Sequence, residues 1–213
     1  MPTITLSVET RSVDGADLLS AIEVPFTAGE SVFTISTRAW DAADLLYDAS
    51  AGAWGAFVNS IGGIGNDPLS YHAYSGWSYC VNGSFASVAA DAYQPQDGDK
   101  IRWIFSVTSG SDPETGIWDP YIELHFADGL YQLAQLLQQG QEAEEASFNG
   151  NWQHLQEVLI AAQAYYDSIL AYEGSDENKF SIFGYLQEQD ITADGLPYSL
   201  LQTHIGRLQK ALG

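Results

Sequence analysis

Residues 76–83 have the sequence Gly-Trp-Ser-Tyr-Cys-Val-Asn-Gly. Large side chains at Trp77, Tyr79 and Val81 alternate with smaller ones, and a period of two is typical of a β-strand with one face towards a core. Asn82-Gly83 then supplies the two residue types that adopt positive φ with least strain. The stretch therefore predicts a strand that ends in a tight reversal, within a β-sheet.

The same alternation recurs on both sides of this strand. Further strands are predicted at residues 4–8, 22–26, 55–61 and 101–107. Between the second and third of these, Ser31 is the expected N-cap of a helix whose apolar face runs from Val32 to Leu46. The order strand, strand, helix, strand, strand, strand, with one helix crossing a mixed sheet, is that of a β-grasp (ubiquitin-like) domain.

Beyond residue 110 the apolar residues recur every three or four positions, which is the spacing of amphipathic helices. Three such segments are Leu130–Leu137, Trp152–Ile169 and Leu201–Leu212, and we expect a short additional helix in the acidic insert 173–190. Each apolar stripe is too narrow to be stable alone, so the three helices should pack as a small bundle.

These patterns together predict an α+β chain with two domains. We place a β-grasp domain at residues 1–109, a linker rich in turn-forming residues at 110–120, and a three-helix bundle at 121–213.

Charge excludes several classes of function. The 213 residues include 28 Asp and Glu against 7 Lys and Arg, a formal net charge of −21 at pH 7. Nucleic-acid binding needs clustered cations, so we expect no nucleic-acid partner. Anionic membrane surfaces are disfavoured as well, and no apolar run is long enough for direct membrane insertion. The single cysteine, Cys80, excludes an internal disulfide framework.

A series of motifs in the first half is shared with a bacterial protein family. The series is a run at Gly55–Gly63, Gly-Trp-x-Tyr-x-Val-Asn-Gly at 76–83, Tyr93, and Gly-Asp-x-Ile-x-Trp at 98–103. In this order, over residues 3–108, the motifs resemble the bacterial family related to the C-terminal domain of transcobalamin and intrinsic factor. The resemblance implies a β-grasp domain that binds a ligand without catalysis, with a corrinoid such as cobalamin as a candidate ligand.

The second half resembles a FIVAR-type module, a three-helix unit frequent in large surface proteins of Gram-positive bacteria. The matching stretches are Ser147–Leu155, Ala161-Ala162, Ile191–Asp194 and the Leu201, Ile205, Leu208 stripe. This resemblance, over about residues 128–213, implies an extracellular or cell-surface location and further domains in a larger protein. The N-terminus shows no signal-peptide pattern, which fits either a trimmed secreted chain or a cytosolic start.

Aromatic side chains crowd one region of the first half. The candidate ligand-binding residues are Tyr71, Tyr74, Trp77, Tyr79, Asn82, Phe85 and Tyr93. Their rings would form a rigid platform for a planar ring or a sugar. For Trp77 and Tyr79 a place in the core is the open alternative, whereas Tyr71, Tyr74 and Phe85 fall in predicted loops, where exposed aromatics are more informative.

We predict neither a catalytic nor a metal site. His72 has no second ligand at metal-binding spacing, Cys80 has no obvious base nearby, and no Gly-x-Ser-x-Gly elbow occurs. Asp97-Gly98-Asp99 offers oxygen ligands for calcium, but without EF-hand spacing a solvated charge run is preferred.

The sequence therefore favours a non-catalytic extracellular segment of a bacterial surface or secreted protein, in which a ligand-binding β-grasp module precedes a helical spacer. Its partner would be a small molecule or a glycan. The alternative is a structural or adhesive stalk module that binds a host or cell-surface protein or a glycan, and there the negative surface would keep neighbouring chains apart.

Overall fold

The computed structural model describes residues 1–65, 75–107, 120–172 and 196–213. The chain divides into two compact units, one formed by Met1–Thr10 with Ala16–Gly116 and the other by Arg11–Gly15 with Ile117–Gly213. Residues 110–119 of the predicted linker lie outside the described residues, and the predicted domain limits stay a prediction.

The first unit is built on a five-stranded mixed sheet. Its elements are β1 (Thr3–Glu9), β2 (Asp17–Pro25), α2 (Val32–Ala42), β3 (Tyr47–Gly52), β4 (Gly55–Ile61), β5 (Ile64–Gly65), β6 (Gly76–Val81), β7 (Ser84–Phe85) and β8 (Lys100–Ser106), while the short helix α1 (Arg11–Asp14) is grouped with the second unit. The strand order is β2-β1-β8-β6-β7, in which β1 and β8 are parallel and the other neighbours antiparallel. This order, together with helix α2, confirms the predicted β-grasp arrangement and the α+β class.

One helix packs on the sheet through aromatic side chains. Ser31 caps α2 as predicted, since its hydroxyl accepts a hydrogen bond from the Thr34 amide at 3.2 Å. The ring of Trp40 lies 5.2 Å from that of Trp103 on β8, and Trp103 Nε1 donates to Ser36 Oγ at 2.8 Å. Burial of large aromatic rings such as these contributes strongly to the stability of a small domain.

The strand at 55–61 does not join the main sheet. It forms a separate three-stranded sheet in the order β3-β4-β5, whose strand β3 the sequence analysis did not predict. The predicted helix face was also too long, because α2 ends at Ala42 and Asp44 has a φ of 54°. Leu46 is therefore 83% exposed instead of lying on a buried helix face.

The second unit consists of helices joined by one apolar core. Its long helices are α3 (Pro120–Glu142), α4 (Trp152–Leu170) and α5 (Leu196–Leu212), which match the three predicted helical segments. The core side chains are Phe126, Leu130, Leu133, Leu137, Leu155, Val158, Leu159, Ala162, Ile169, Leu201, Ile205 and Leu208. The short helix expected within 173–190 lies outside the described residues, and the FIVAR resemblance stays a prediction.

No helix within the described ranges is long and apolar enough to cross a membrane.

A buried ion pair joins the two parallel strands at the centre of the main sheet. Glu9 on β1 is 2% exposed and accepts hydrogen bonds from Arg102 on β8, with Nη2 at 2.6 Å and Nε at 2.9 Å, and from Ser7 Oγ at 2.7 Å. An exposed ion pair, Arg38 with Glu30, lies in the same unit and provides a comparison.

Arg102→Met should destabilise the protein far more than Arg38→Met. Removing one partner of a buried pair leaves an uncompensated charge and costs about 3–5 kcal/mol, whereas an exposed pair contributes at most about 1 kcal/mol. The free energy of unfolding in urea, followed by tryptophan fluorescence, measures both losses. Equal losses in the two variants would contradict the structural role of the Glu9–Arg102 pair.

Candidate functional site

Two of the predicted ligand-binding residues lie outside the described residues. These are Tyr71 and Tyr74, in the segment 66–74 that also contains His72. Their place in a ligand site stays a prediction.

Trp77 and Tyr79 are both buried, at 7% exposure each. Trp77 Nε1 donates to the Ile64 carbonyl at 2.8 Å and its ring lies 5.4 Å from that of Phe105. Tyr79 donates its hydroxyl to the Val88 carbonyl at 2.7 Å. Of the two roles open to these residues, their burial and satisfied polar groups favour the core.

Burial changes the acidity of Tyr79. It raises the pKa of this phenol to about 12, and Tyr93 and Asp91 raise it further because a negative charge on either would repel the phenolate. The protonated Tyr79 phenol stabilises the fold. This contribution is complete at pH values below about 10, the pKa of a tyrosine in the unfolded chain. This contribution is lost as the pH rises through 12.

Tyr79→Phe should lose about 0.5–1.5 kcal/mol at pH 8, because the hydrogen bond to Val88 is removed. Between pH 8 and pH 11 the wild-type protein should then lose more of its unfolding free energy than this variant, which has no phenol to ionise at that position. Urea unfolding at both pH values measures the difference. Tyr47→Phe, which alters a more exposed tyrosine, serves as the control, and equal pH dependence of wild type and Tyr79→Phe would contradict the burial of an intact phenol.

Asn82 holds a turn. Asn82 and Gly83 have φ values of 52° and 85°, which confirms the predicted tight reversal. The Asn82 amide donates to Asp99 Oδ1 at 2.8 Å, and its oxygen accepts from the Lys100 amide at 2.9 Å. These bonds fasten the β6–β7 turn to Asp99 and to Lys100, the first residue of β8, so Asn82 has a structural role, and its place in a ligand site stays a prediction.

Phe85 and Tyr93 are partly buried. Tyr93 lies 6.3 Å from the Tyr79 ring, and its carbonyl accepts a hydrogen bond from the Val32 amide at 2.8 Å, at the start of α2. Phe85 is on the two-residue strand β7, opposite Cys80. Neither ring is among the exposed large apolar residues of the chain.

The most exposed aromatic side chain among the described residues is Trp54, at 94%. Ala53 and Trp54 form the turn between the paired residues Gly52 and Gly55, and Phe57 on β4 is 57% exposed. We call residues 47–61, which comprise β3, this turn and β4, the aromatic hairpin. Single exposed apolar residues are common on protein surfaces, whereas neighbouring exposed rings more often mark a binding surface.

The base of the aromatic hairpin is fixed while its tip is exposed. Tyr47, its first residue, has its ring 5.2 Å from that of Trp40, and Ile61, its last residue, is fully buried. Gly55 has a φ of 108°, and a β-carbon there would lie 2.5 Å from Ala89 Cβ and 2.5 Å from Asp91 Oδ1. Glycine therefore allows the hairpin to approach the segment that contains Ala89 and Asp91.

A hydrogen-bonded polar cluster lies on the hairpin. Asn59 Nδ2 donates to Asp48 Oδ2 at 2.8 Å, and Ser50 Oγ donates to Asn59 Oδ1 at 3.5 Å. Ser50 is the cross-strand partner of Phe57, and directly opposed residues place their side chains on the same face. Asp48, Ser50 and Asn59 therefore share a face with the exposed Phe57 ring.

The stretch of sequence around the aromatic hairpin contains acidic side chains and no lysine or arginine. No lysine or arginine occurs between Arg38 and Lys100. The same stretch contains the aspartates Asp41, Asp44, Asp48, Asp67, Asp91, Asp97 and Asp99. Anionic ligands are disfavoured by this charge distribution, because no cation of this stretch would compensate them.

The Asp97-Gly98-Asp99 turn serves the fold. Asp97 Oδ1 accepts from the Thr3 amide and Asp99 Oδ2 from the Gln96 amide, both at 2.8 Å. In the described part of the chain no group of three His, Cys, Asp or Glu side chains is placed to hold a metal ion.

Trp54 is not among the residues that the sequence predicted to bind a ligand. A signal was present, because a tryptophan between Gly52-Ala53 and Gly55 stands in a run of small residues that favours a turn and offers nothing large to cover the ring. Alternation identifies the strand that follows it but says nothing about a ring at the turn itself.

Residues 29–106 match a family model described as a domain of unknown function, DUF4430, an interval that runs from α2 through the aromatic hairpin to β8. Among solved structures the chain is similar to haptocorrin in complex with Cbi, at 17% identity and a TM-score of 0.40, covering 48% of this chain and 24% of haptocorrin. It is also similar to "a putative metal binding protein from Ruminococcus gnavus ATCC 29149", at 18% identity and a TM-score of 0.37, covering 50% of this chain and 97% of the other.

The chain thus spans about a quarter of the length of the haptocorrin that it matches. Comparison with curated proteins gave no match.

Proposed function

We propose that this chain is a non-catalytic ligand-binding segment of a secreted or cell-surface protein of a Gram-positive bacterium. In this proposal the β-grasp unit binds the ligand at the aromatic hairpin, and the helical unit is a spacer. The observation that carries it is the 94% exposure of Trp54 at the tip of a hairpin whose base is held in the core.

The paired backbone at this position supports a binding role. Gly52 and Gly55 pair across the two-residue turn that carries Trp54, so binding there orders less backbone than binding at an unpaired loop would. Trp54 also contributes a large apolar area that the fold does not use, so its contact with a ligand would bury surface that now faces water.

One candidate ligand, which the sequence resemblance implies, is a corrinoid. A corrin ring is broad and partly apolar, and an exposed indole would pack on its face or edge. The aromatic hairpin alone would cover one side of such a ring, so we propose weak binding. The second candidate function is an adhesive stalk module with a protein or glycan partner, which the exposed apolar rings Trp54 and Phe57 support equally.

Wild-type protein titrated with cyanocobalamin and aquocobalamin should give saturable heats in a calorimeter, and Trp54→Ala should weaken the binding at least about tenfold. Ile160→Ala, which removes a 70% exposed apolar side chain from the helical unit, should bind as the wild type does. Trp54→Ala should change the free energy of unfolding by no more than about 0.5 kcal/mol. Trp77→Ala, in the core, should cost about 3–5 kcal/mol.

Flat heats at high micromolar protein would remove corrinoids as the ligand. Equal affinity of wild type and Trp54→Ala would contradict the aromatic hairpin as the binding site.

A further inference from the structure

We propose that the ligand of the aromatic hairpin is an uncharged oligosaccharide, which stacks on Phe57 and Trp54 and is hydrogen-bonded by Asn59. This inference rests on the proposed function, because it names the chemical class of ligand for the same site. It is carried by the polar cluster of Asp48, Ser50 and Asn59 beside an exposed ring.

Sugar recognition needs an apolar flat surface next to directional polar groups. The face of a pyranose ring that carries axial hydrogens is apolar and packs on an aromatic ring, while its rim carries hydroxyls that both donate and accept. Phe57 supplies the flat surface, and the cluster on its own face of the hairpin supplies the polar groups. An entirely apolar ligand would leave this cluster without a role.

The hydrogen-bonding capacity of Asn59 fits a pair of hydroxyls. An amide side chain has two donor and two acceptor positions. The 2.8 Å bond to Asp48 uses one donor and orients the amide, and the 3.5 Å contact with Ser50 uses at most one acceptor position. One N–H and one lone pair of the same planar group remain, which is the combination that a pair of neighbouring sugar hydroxyls satisfies.

Charge selects among saccharides. The hairpin carries Asp48, and no lysine or arginine occurs from residue 39 to residue 99. Sulfated or uronic-acid sugars would therefore be repelled, since no cation of that stretch offsets their charge. A cationic amino sugar would gain little from Asp48, because this carboxylate is exposed and solvent screens an exposed ion pair. An uncharged oligosaccharide remains the best match.

The test measures binding of tetrasaccharides to the full chain by calorimetry. The probes are maltotetraose, cellotetraose and N-acetylated chitotetraose as uncharged ligands, deacetylated chitotetraose as the cationic arm and a heparin tetrasaccharide as the anionic arm. At least one uncharged probe should bind, and more tightly than either charged one. Binding to none of the uncharged probes, or tighter binding of a charged probe, would overturn the inference.

Variants on the hairpin separate stacking from apolar contact. Phe57→Leu keeps an apolar side chain but removes the ring, and should weaken saccharide binding at least about tenfold. Asn59→Ala should weaken it at least about fivefold, the equivalent of two neutral hydrogen bonds. Phe57 is more than half exposed, so Phe57→Leu should fold normally even if Asn59→Ala disturbs the hairpin. Unchanged saccharide binding by Phe57→Leu would refute stacking.

The outcomes distinguish this inference from the proposed function. If cyanocobalamin binds in a Trp54-dependent manner while no uncharged saccharide binds, the saccharide inference fails and the proposed function stands. If neither class of probe binds, both fail. If a saccharide binds with equal affinity to wild type and to Phe57→Leu and Trp54→Ala, the aromatic hairpin is not the saccharide site and this inference fails, while the cyanocobalamin titration decides the proposed function separately.

Discussion

The packing around Trp103 is the constraint on which the first unit depends. Its indole donates to Ser36 on α2, and its ring lies 5.2 Å from Trp40 and 5.4 Å from Tyr79. Because β8 pairs with both β1 and β6, one side chain connects the helix with the three central strands. Trp40 in turn contacts Tyr47, so the same cluster fixes the base of the aromatic hairpin and leaves its tip to solvent.

The sequence predicted those parts of the fold that have a local cause. Ser31 caps a helix because its hydroxyl reaches the Thr34 amide, and Asn82-Gly83 turns because both residues accept positive φ. Strand β3 was missed because its six residues, Tyr-Asp-Ala-Ser-Ala-Gly, are small or polar after the first and none is buried, so no alternation marks them. The end of α2 depends on the positive φ of Asp44, which composition does not reveal.

The buried rings of β6 show that a high density of aromatic residues in the sequence does not by itself locate a ligand-binding surface. The rings of Trp77 and Tyr79 fall where the sequence is richest in aromatics, yet the protein uses them in its core. Strand β6 is buried or partly buried along its whole length, so alternation cannot tell a ring that faces a ligand from one that faces the interior. The most exposed ring among the described residues belongs to Trp54, which stands between small residues at a turn, where no periodic pattern marks it.

The central claim is that Trp54 faces solvent while the tryptophans of the core do not. Fluorine NMR of protein labelled with 5-fluorotryptophan tests it, with Trp54→Phe to assign the resonance and a neutral gadolinium chelate to report exposure without attraction or repulsion by the net charge of −21. The account predicts strong broadening of the Trp54 resonance and protection of Trp40, Trp77 and Trp103. A Trp54 resonance as protected as that of Trp103 would contradict it.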